Sequence, residues 1–230
     1  MIKEILEDVR KSGRKTLDEY NASRIMSEAG IPMAKGVVCK DLDSAIKAAE
    51  YYNYPVVIKI ASPNILHKTD VGCVKVGIKN KTELTEAYYS ILDNATKSNP
   101  DAHILGVLVQ EMVPQGLELI AGMKRDPQFG PVLMFGMGGI YVEAFQDVAL
   151  RLIPITRADA VKMIKETRVY KIIQGLRGKE YDLEQVIQML LKISDLVAEN
   201  DLIEEIDINP FFLYEKGKGG KGVDALISIR

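Results

Sequence analysis

Pro55-Val56-Val57-Ile58-Lys59, continued through Ile60 by Ala61-Ser62-Pro63-Asn64-Ile65-Leu66-His67-Lys68-Thr69-Asp70-Val71-Gly72, places an apolar strand closed by a lysine directly before a polar, glycine-bounded loop with a histidine in it. The chain uses only 2 histidines in 230 residues. His67 stands where an imidazole has no core to fill, so its ring can serve as a nucleophile near neutral pH. Lys59 ends an otherwise apolar strand, and its ammonium either snorkels to water at the sheet edge or reaches an anion in a pocket. A strand-end lysine followed by a polar, glycine-containing loop is one way to hold phosphate oxygens.

Working outward, residues 1–30 read as two helices, the second over Asp18–Ala29 and closed by Gly30 and Pro32. A strand around Gly36–Cys39 and a helix over Asp43–Asn53 precede the lysine strand. After the histidine loop, Val74–Ile78 alternates like a half-buried strand, Lys81–Lys97 is helical, and His103–Met112 forms a strand whose apolar run is long enough to be buried. Pro114-Gln115-Gly116 breaks the chain, which puts a lobe boundary near residue 110. Strands then come before helices: Glu118–Met123, Pro131–Phe135, a glycine cluster at Gly136, Gly138 and Gly139, and helices near 157–166, 168–176 and 182–199. The chain finishes with a strand pair, Leu202–Asn209 and Val223–Ile229, around the turn Lys216–Gly222. The expected architecture is α/β of the α+β kind.

Composition narrows the function classes. Hydrophobic residues make up 47%, charged residues 27%, and the net charge is -2, so there is no field to gather nucleic acid or an anionic membrane. The first ten residues alternate charged and apolar side chains, unlike a signal peptide, and no stretch approaches membrane-spanning length. Cys39 and Cys73 are too few for a disulfide framework or a zinc site, and they read as reduced thiols of a cytoplasmic protein.

Beyond the loop, Asp207 and Asn209 alternate with Ile206 and Ile208, so both polar side chains leave the same strand face. Asp224 lies in the partner strand, and the three oxygens suit either Mg²⁺ with phosphates and water or an ordinary surface acidic cluster. Gln110-Glu111-Met112-Val113 ends a buried strand where main-chain groups can pair with an adenine edge. Glu118 could accept ribose hydroxyls, though an exposed glutamate is as ordinary. The glycine cluster lacks dinucleotide-fingerprint spacing and reads as a bend where the backbone closely approaches something. His103 reads as structural, and Lys216–Lys221 as a solvated hairpin tip.

Strand with lysine, loop, hinge strand, carboxylate, and a terminal Ile208-Asn209-Pro210-Phe211 followed by Val223-Asp224-Ala225 resemble, in this order, an ATP-grasp domain over essentially all 230 residues. The ending is similar to the metal-binding end of succinyl-CoA synthetase β subunits. The stretch from Ser62 to Gly72 instead resembles the histidine loop of the NDP-forming acyl-CoA synthetases, the ADP-forming acetyl-CoA synthetase group, although Cys73 stands where that family usually has a second glycine.

The resemblance implies a single ATP-grasp domain over 1–230, with lobe 1 at about 21–109, lobe 2 at about 110–230, the N-terminal helix 1–20 packed on lobe 2, and nucleotide between the lobes. It implies that Lys59 binds nucleotide phosphate, that Glu111, Met112 and Val113 hold adenine, that Glu118 holds ribose, and that Asn209 and Asp224 bind Mg²⁺. Asp207 would orient His67 or balance its charge, and Arg151 would neutralise phosphate charge. The implied reaction makes ATP from ADP, phosphate and acyl-CoA. His67 takes the phosphoryl group from a phosphohistidine on an α subunit that carries the CoA-binding and ligase domains, in an α2β2 assembly. Two alternatives keep the fold: a direct ATP-dependent carboxylate ligase without a phosphoenzyme, and a non-catalytic nucleotide-binding subunit.

Overall fold

A computed structural model describes residues 1–65, 68–139, 147–176 and 178–230. In chain order the first elements are α1 (Ile2–Lys11) and α2 (Glu19–Glu28). The chain divides into two compact units, one built from Met1–Leu17, Asn21–Met33 and Pro114–Arg230, the other from Asp18–Tyr20 and Ala34–Val113.

The smaller unit contains β1 (Gly36–Cys39), α3 (Leu42–Tyr52), β2 (Val56–Ala61), β3 (Val74–Ile78), α4 (Lys81–Ser98) and β4 (Gly106–Glu111). Its sheet runs β1-β4-β2-β3, and every pairing is antiparallel. Both helices start on side-chain caps that satisfy otherwise orphaned amides: the Asp41 carboxylate accepts the Ser44 N–H at 2.7 Å, and the Asn80 side-chain oxygen accepts that of Glu83 at 2.9 Å. Their apolar stripes, Ala45, Ile46 and Ala49 on α3 and Leu84, Ile91 and Ala95 on α4, cover Ile58, Ile60, Val107 and Val109 of the sheet. The strand period of two therefore sends Ile58 and Ile60 into this core and Lys59 to the opposite face.

The larger unit adds β5 (Leu117–Asp126), β6 (Gly130–Met137), β7 (Val148–Leu152), α5 (Arg157–Glu166), α6 (Val169–Ile173), α7 (Leu183–Glu199), β8 (Ile203–Leu213), β9 (Gly220–Gly222) and β10 (Ala225–Ile229). Its sheet runs β10-β8-β5-β6-β7, with β9 paired to β8, again antiparallel throughout. Register separates two faces. Ile208, Ala121, Phe135 and Ala149 lie side by side across four strands and join the core with Ala160, Met163, Leu190 and Ile193 of α5 and α7. One residue along, Asp207, Gly122, Met134 and Leu150 form the neighbouring row on the other face.

Three features depart from the sequence reading. Helix α2 lies with the larger unit from Asn21 onward, not with the first lobe, because its stripe Ala22, Ile25 and Met26 is buried among Leu6, Val9 and Leu119. A strand, β7, forms over Val148–Leu152, where no strand was expected; its outward side chains Leu150 and Leu152 are over half exposed, so no buried alternation announced it. The lysine- and glycine-rich turn is also shorter than expected, since Gly220–Gly222 pairs with Phe211–Leu213. Among the described residues, no helix is long and apolar enough to cross a membrane.

Candidate functional site

Lys59 does not end its strand. β2 continues to Ala61, and Lys59 pairs with Leu108 on one side and Val74 on the other. It is only 3% exposed, so the snorkelling alternative is excluded. A buried ammonium needs a counter-charge, and the Glu19 carboxylate supplies one: Oε1 lies 2.9 Å from Lys59 Nζ. The other oxygen of that carboxylate, Oε2, lies 2.5 Å from Lys68 Nζ.

His67 itself lies outside the described residues. The flanks of its loop are pinned. Ile60 N–H donates to the Cys73 carbonyl at 3.0 Å, and Cys73 N–H to the Lys68 carbonyl at 2.8 Å. Gly72 adopts a left-handed φ of 69° and its carbonyl accepts from the Asn94 side-chain amide at 3.0 Å. The His103 N–H donates to Asn64 Oδ1 at 2.9 Å, a structural use of that segment. Cys73 is fully buried, and burial pushes its thiol up from the ordinary value; Cys39 is also a buried free thiol and is shifted in the same direction for the same reason.

At the end of β4, Glu111 is already engaged. Its N–H donates to the Lys35 carbonyl at 2.9 Å and its carboxylate accepts the Lys35 N–H at 2.7 Å. Met112 beyond it is 43% exposed, an apolar side chain on the surface.

In the larger unit, the Glu118 carbonyl accepts the Gly138 N–H at 2.8 Å. A Cβ on Gly139 would come within 2.5 Å of Glu118 Oε2, so the glycine cluster is the close approach that its spacing suggested. Asp207 sits on β8 beside Gly122, whose missing Cβ leaves room: one built there would meet the Ile206 carbonyl at 2.7 Å. Its Oδ1 is buried with no hydrogen-bond partner among the described residues. Burial, and secondarily the Glu205 carboxylate, push the Asp207 carboxyl up to about 6. A buried carboxyl with an unpartnered oxygen and a raised pKa has the character of a site residue. Asn209 and Asp224 are adjacent across β8 and the approach to β10, joined by an Asn209 N–H to Asp224 carbonyl bond of 3.3 Å.

Arg151 is not brought to this group. It is level with Leu133, in the row that includes Ile206 and Met123, so it leaves the sheet on the face opposite Asp207, where it ion-pairs with Glu166 at 2.5 Å. Glu19, Lys68 and Gly122 went unnoticed in the sequence. Glu19 looks like an ordinary acidic residue in a helix first turn, and only the fold places it against Lys59.

The chain, with its two antiparallel sheets and a buried lysine on β2, belongs to the ATP-grasp domain family, whose model it matches over residues 8–229. Within that family it groups with the β subunits of ADP-forming acetyl-CoA synthetases. It is 46% identical to the β subunit of acetate–CoA ligase [ADP-forming] II from Pyrococcus furiosus over 98% of this chain and 97% of that one. It is 43% identical to the 4-hydroxybutyrate–CoA ligase [ADP-forming] of Nitrosopumilus maritimus over 99% of this chain, but only 33% of that longer protein. Among solved structures, acetyl-coenzyme A synthetase 1 of Ca. Korarchaeum cryptofilum matches with a TM-score of 0.86 and 40% identity, covering both chains fully. That structure holds coenzyme A and Mg-AMPPCP, with a phosphohistidine segment pointing towards the nucleotide-binding site.

Proposed function

We propose that this chain is the nucleotide-binding β subunit of an ADP-forming acyl-CoA synthetase, and that His67 carries a phosphoryl group from a partner subunit to ADP. The observation that carries this reading is the end-to-end similarity to a separately encoded β subunit of such an enzyme.

In the proposed sequence, phosphate displaces CoA from acyl-CoA on the partner, and a partner histidine takes the phosphoryl group from the acyl phosphate, releasing the acid. A neutral ring nitrogen of His67 then attacks that phosphorus, and the partner imidazole leaves. Finally a β-phosphate oxygen of ADP attacks the phosphorus on His67, the N–P bond breaks, and ATP forms. Lys59 would neutralise the phosphate oxygens, and its burial supports the role because a charge is stronger out of water. Glu118 would hold ribose. Met112 and Val113 would meet adenine, with Glu111 fixing the hinge through Lys35. Asp207 would face the histidine when the imidazole is charged, a cation that would relieve its burial. Arg151 would act on phosphate only from the far face of its sheet, which makes it the weakest of these assignments.

Asn209 and Asp224 fit Mg²⁺. Mg²⁺ characteristically takes one or two protein oxygens with phosphates and waters completing the octahedron, and the bond from Asn209 N–H to the Asp224 carbonyl keeps these two residues adjacent. When bound, the metal would neutralise charge on the transferring phosphoryl group. The partner is proposed as an α subunit with the CoA-binding and ligase domains in an α2β2 complex, and the compartment as the cytoplasm.

The test is a complex reconstituted with the α subunit and assayed for ATP formation from acyl-CoA, ADP and phosphate. His67→Ala is expected to abolish ATP formation and acid-labile labelling of this chain. Turnover at the wild-type rate would refute the carrier role.

A further inference from the structure

The sheet of the larger unit has two end strands, and the chain treats them differently. At one end, β10 is closed off by Lys15–Leu17: Leu17 N–H donates to the Ile227 carbonyl at 3.0 Å, Ile229 N–H donates to the Lys15 carbonyl at 2.8 Å, and Thr16 bridges to Ser228. At the other end, β7 pairs only with β6 among the described residues. Ile153 N–H donates inward to the Pro131 carbonyl at 2.9 Å, so the alternate residues Val148, Leu150 and Leu152 turn their main-chain N–H and C=O groups away from the sheet. Their side chains are 39%, 54% and 55% exposed. Natural edge strands are protected by a lysine, a proline, a bulge or a covering segment, because a bare apolar edge pairs with other strands. β7 carries no such guard: its register against β6 is continuous, and its one charge, Arg151, leaves on the helix-covered face.

The side chains on both faces decide which strand fits this edge, and β7 is complementary to itself. Laid antiparallel against a second copy about a two-fold axis at Ala149, Val148 of each copy stands opposite Leu150 of the other, and Leu152 lies diagonal to that Val148. The exposed apolar side chains of both copies then meet across the joint. On the other face, the same register sets Arg151 of each copy opposite Asp147 of the other. Both charges are held at the strand. Arg151 Nη1 lies 2.7 Å from the outward Leu150 carbonyl while Nη2 pairs with Glu166, and the Asp147 carboxylate accepts the Arg168 and Val169 N–H groups at 2.8 and 3.2 Å. Moving the axis to Leu150 loses the charge pairing, because Arg151 then faces Ala149.

We propose that β7 is a pairing edge for a second copy of this chain, joined antiparallel about Ala149 into one continuous sheet, with Asp147 and Arg151 setting the register. A two-fold joint of this kind uses the same edge on both copies and closes after two. It is independent of the phosphoryl relay and gives two copies of this chain a way to enter one complex.

The experiment is sedimentation velocity on the 230-residue chain alone over a concentration series, with amide hydrogen exchange at low and high concentration. Wild type is expected to interconvert between monomer and dimer, with the Val148 and Leu150 N–H groups exchanging more slowly as concentration rises. Leu150→Lys changes an exposed position and puts an ammonium from each copy into an apolar joint, so the dissociation constant is expected to rise about a hundredfold, tenfold for each copy. Arg151→Glu sets two like-charge pairs across the joint and is expected to raise it about tenfold, less in high salt. A wild-type chain that stays monomeric overturns the inference, and so does a dimer that Leu150→Lys leaves intact. A dimer that Arg151→Glu leaves unchanged or tightens overturns the register. If wild type is monomeric alone and Leu150→Lys blocks its assembly with the α subunit, the edge belongs to that subunit and the inference falls. Should Leu150→Lys fail to fold, the wild-type exchange decides: concentration-dependent protection of the Val148 and Leu150 amides supports the joint, and its absence overturns it.

Discussion

Replacing Asp207 with Asn should make the protein more stable and the enzyme worse, and the size of the first effect follows from the site. The Asp207 carboxyl titrates near 6 when folded, against an ordinary value of 3.8. A raised carboxyl means that ionisation opposes folding: above pH 6 both states are ionised and the full cost is present, and the cost is relieved as pH falls through 6 towards the unfolded value. The difference corresponds to about 3 kcal/mol at pH 8, roughly half of that at pH 5, and only about 0.5 kcal/mol near pH 4. Asn has almost the same shape and carries no charge, so Asp207→Asn should recover this amount. In thermal unfolding that is a midpoint about 6–12 °C higher at pH 8, with the gap closing as the pH approaches 4. The variant-minus-wild-type difference isolates Asp207 from the other carboxylates titrating in the same range. If Asp207 balances the charged imidazole as proposed, the same substitution should also reduce ATP formation in the reconstituted complex. Parallel stability curves from pH 4 to 8 would show that Asp207 is not strained by its ionisation, and unchanged turnover would remove it from the site.

Two further substitutions test other parts of the molecule. Gly139→Ala puts a Cβ 2.5 Å from Glu118 Oε2 at a backbone φ of 72°, so it should cost about 1–2 kcal/mol in denaturant melts and raise the KM for ADP more than it lowers kcat; an unchanged KM would separate Glu118 from the ribose. Arg157→Ala breaks a surface pair with Glu184, whose carboxyl the guanidinium holds down to about 2, yet both side chains are over half exposed; the expected loss is below about 1 kcal/mol and shrinks in high salt, and a larger, salt-independent loss would contradict the reading of this pair as solvent-screened.

Much of this was legible in the chain because local rules and tertiary packing agree. The helices now labelled α3, α4 and α7 carry uninterrupted apolar stripes behind side-chain caps, and β10 alternates cleanly between buried and half-buried side chains. The alternation of Asp207 with Ile206 and Ile208 was enough to place Asp207 on the face away from the core, whereas the register of β8 on β5 shifts between Ile208 and Phe211, so the same period does not carry through Asn209. What could not be read depended on partners distant in sequence. Nothing in the apolar run Val56-Val57-Ile58 separates a strand-end lysine from an interior one, and Lys59 was revealed as buried only by the pairing of β2 with β4 through Ala61. The helix α2 shows its stripe in sequence but not which of two cores receives it. Arg151 sits one residue from a row that would have faced Asp207, and only the β6–β7 register decides that it does not.

The bond between Ile60 and Cys73 also sets a length scale. These two residues fasten both ends of the histidine loop to neighbouring strands, and His67 stands about six or seven residues from either anchor. The shorter arm, the one to Cys73, spans at most about 22 Å when fully drawn out. As long as that fastening holds, this radius bounds where His67 can meet another group. Under the proposed relay, the donor histidine and the acceptor nucleotide would both have to fall inside the same sphere, so the chain's own tether would set how closely a partner's active site has to be docked.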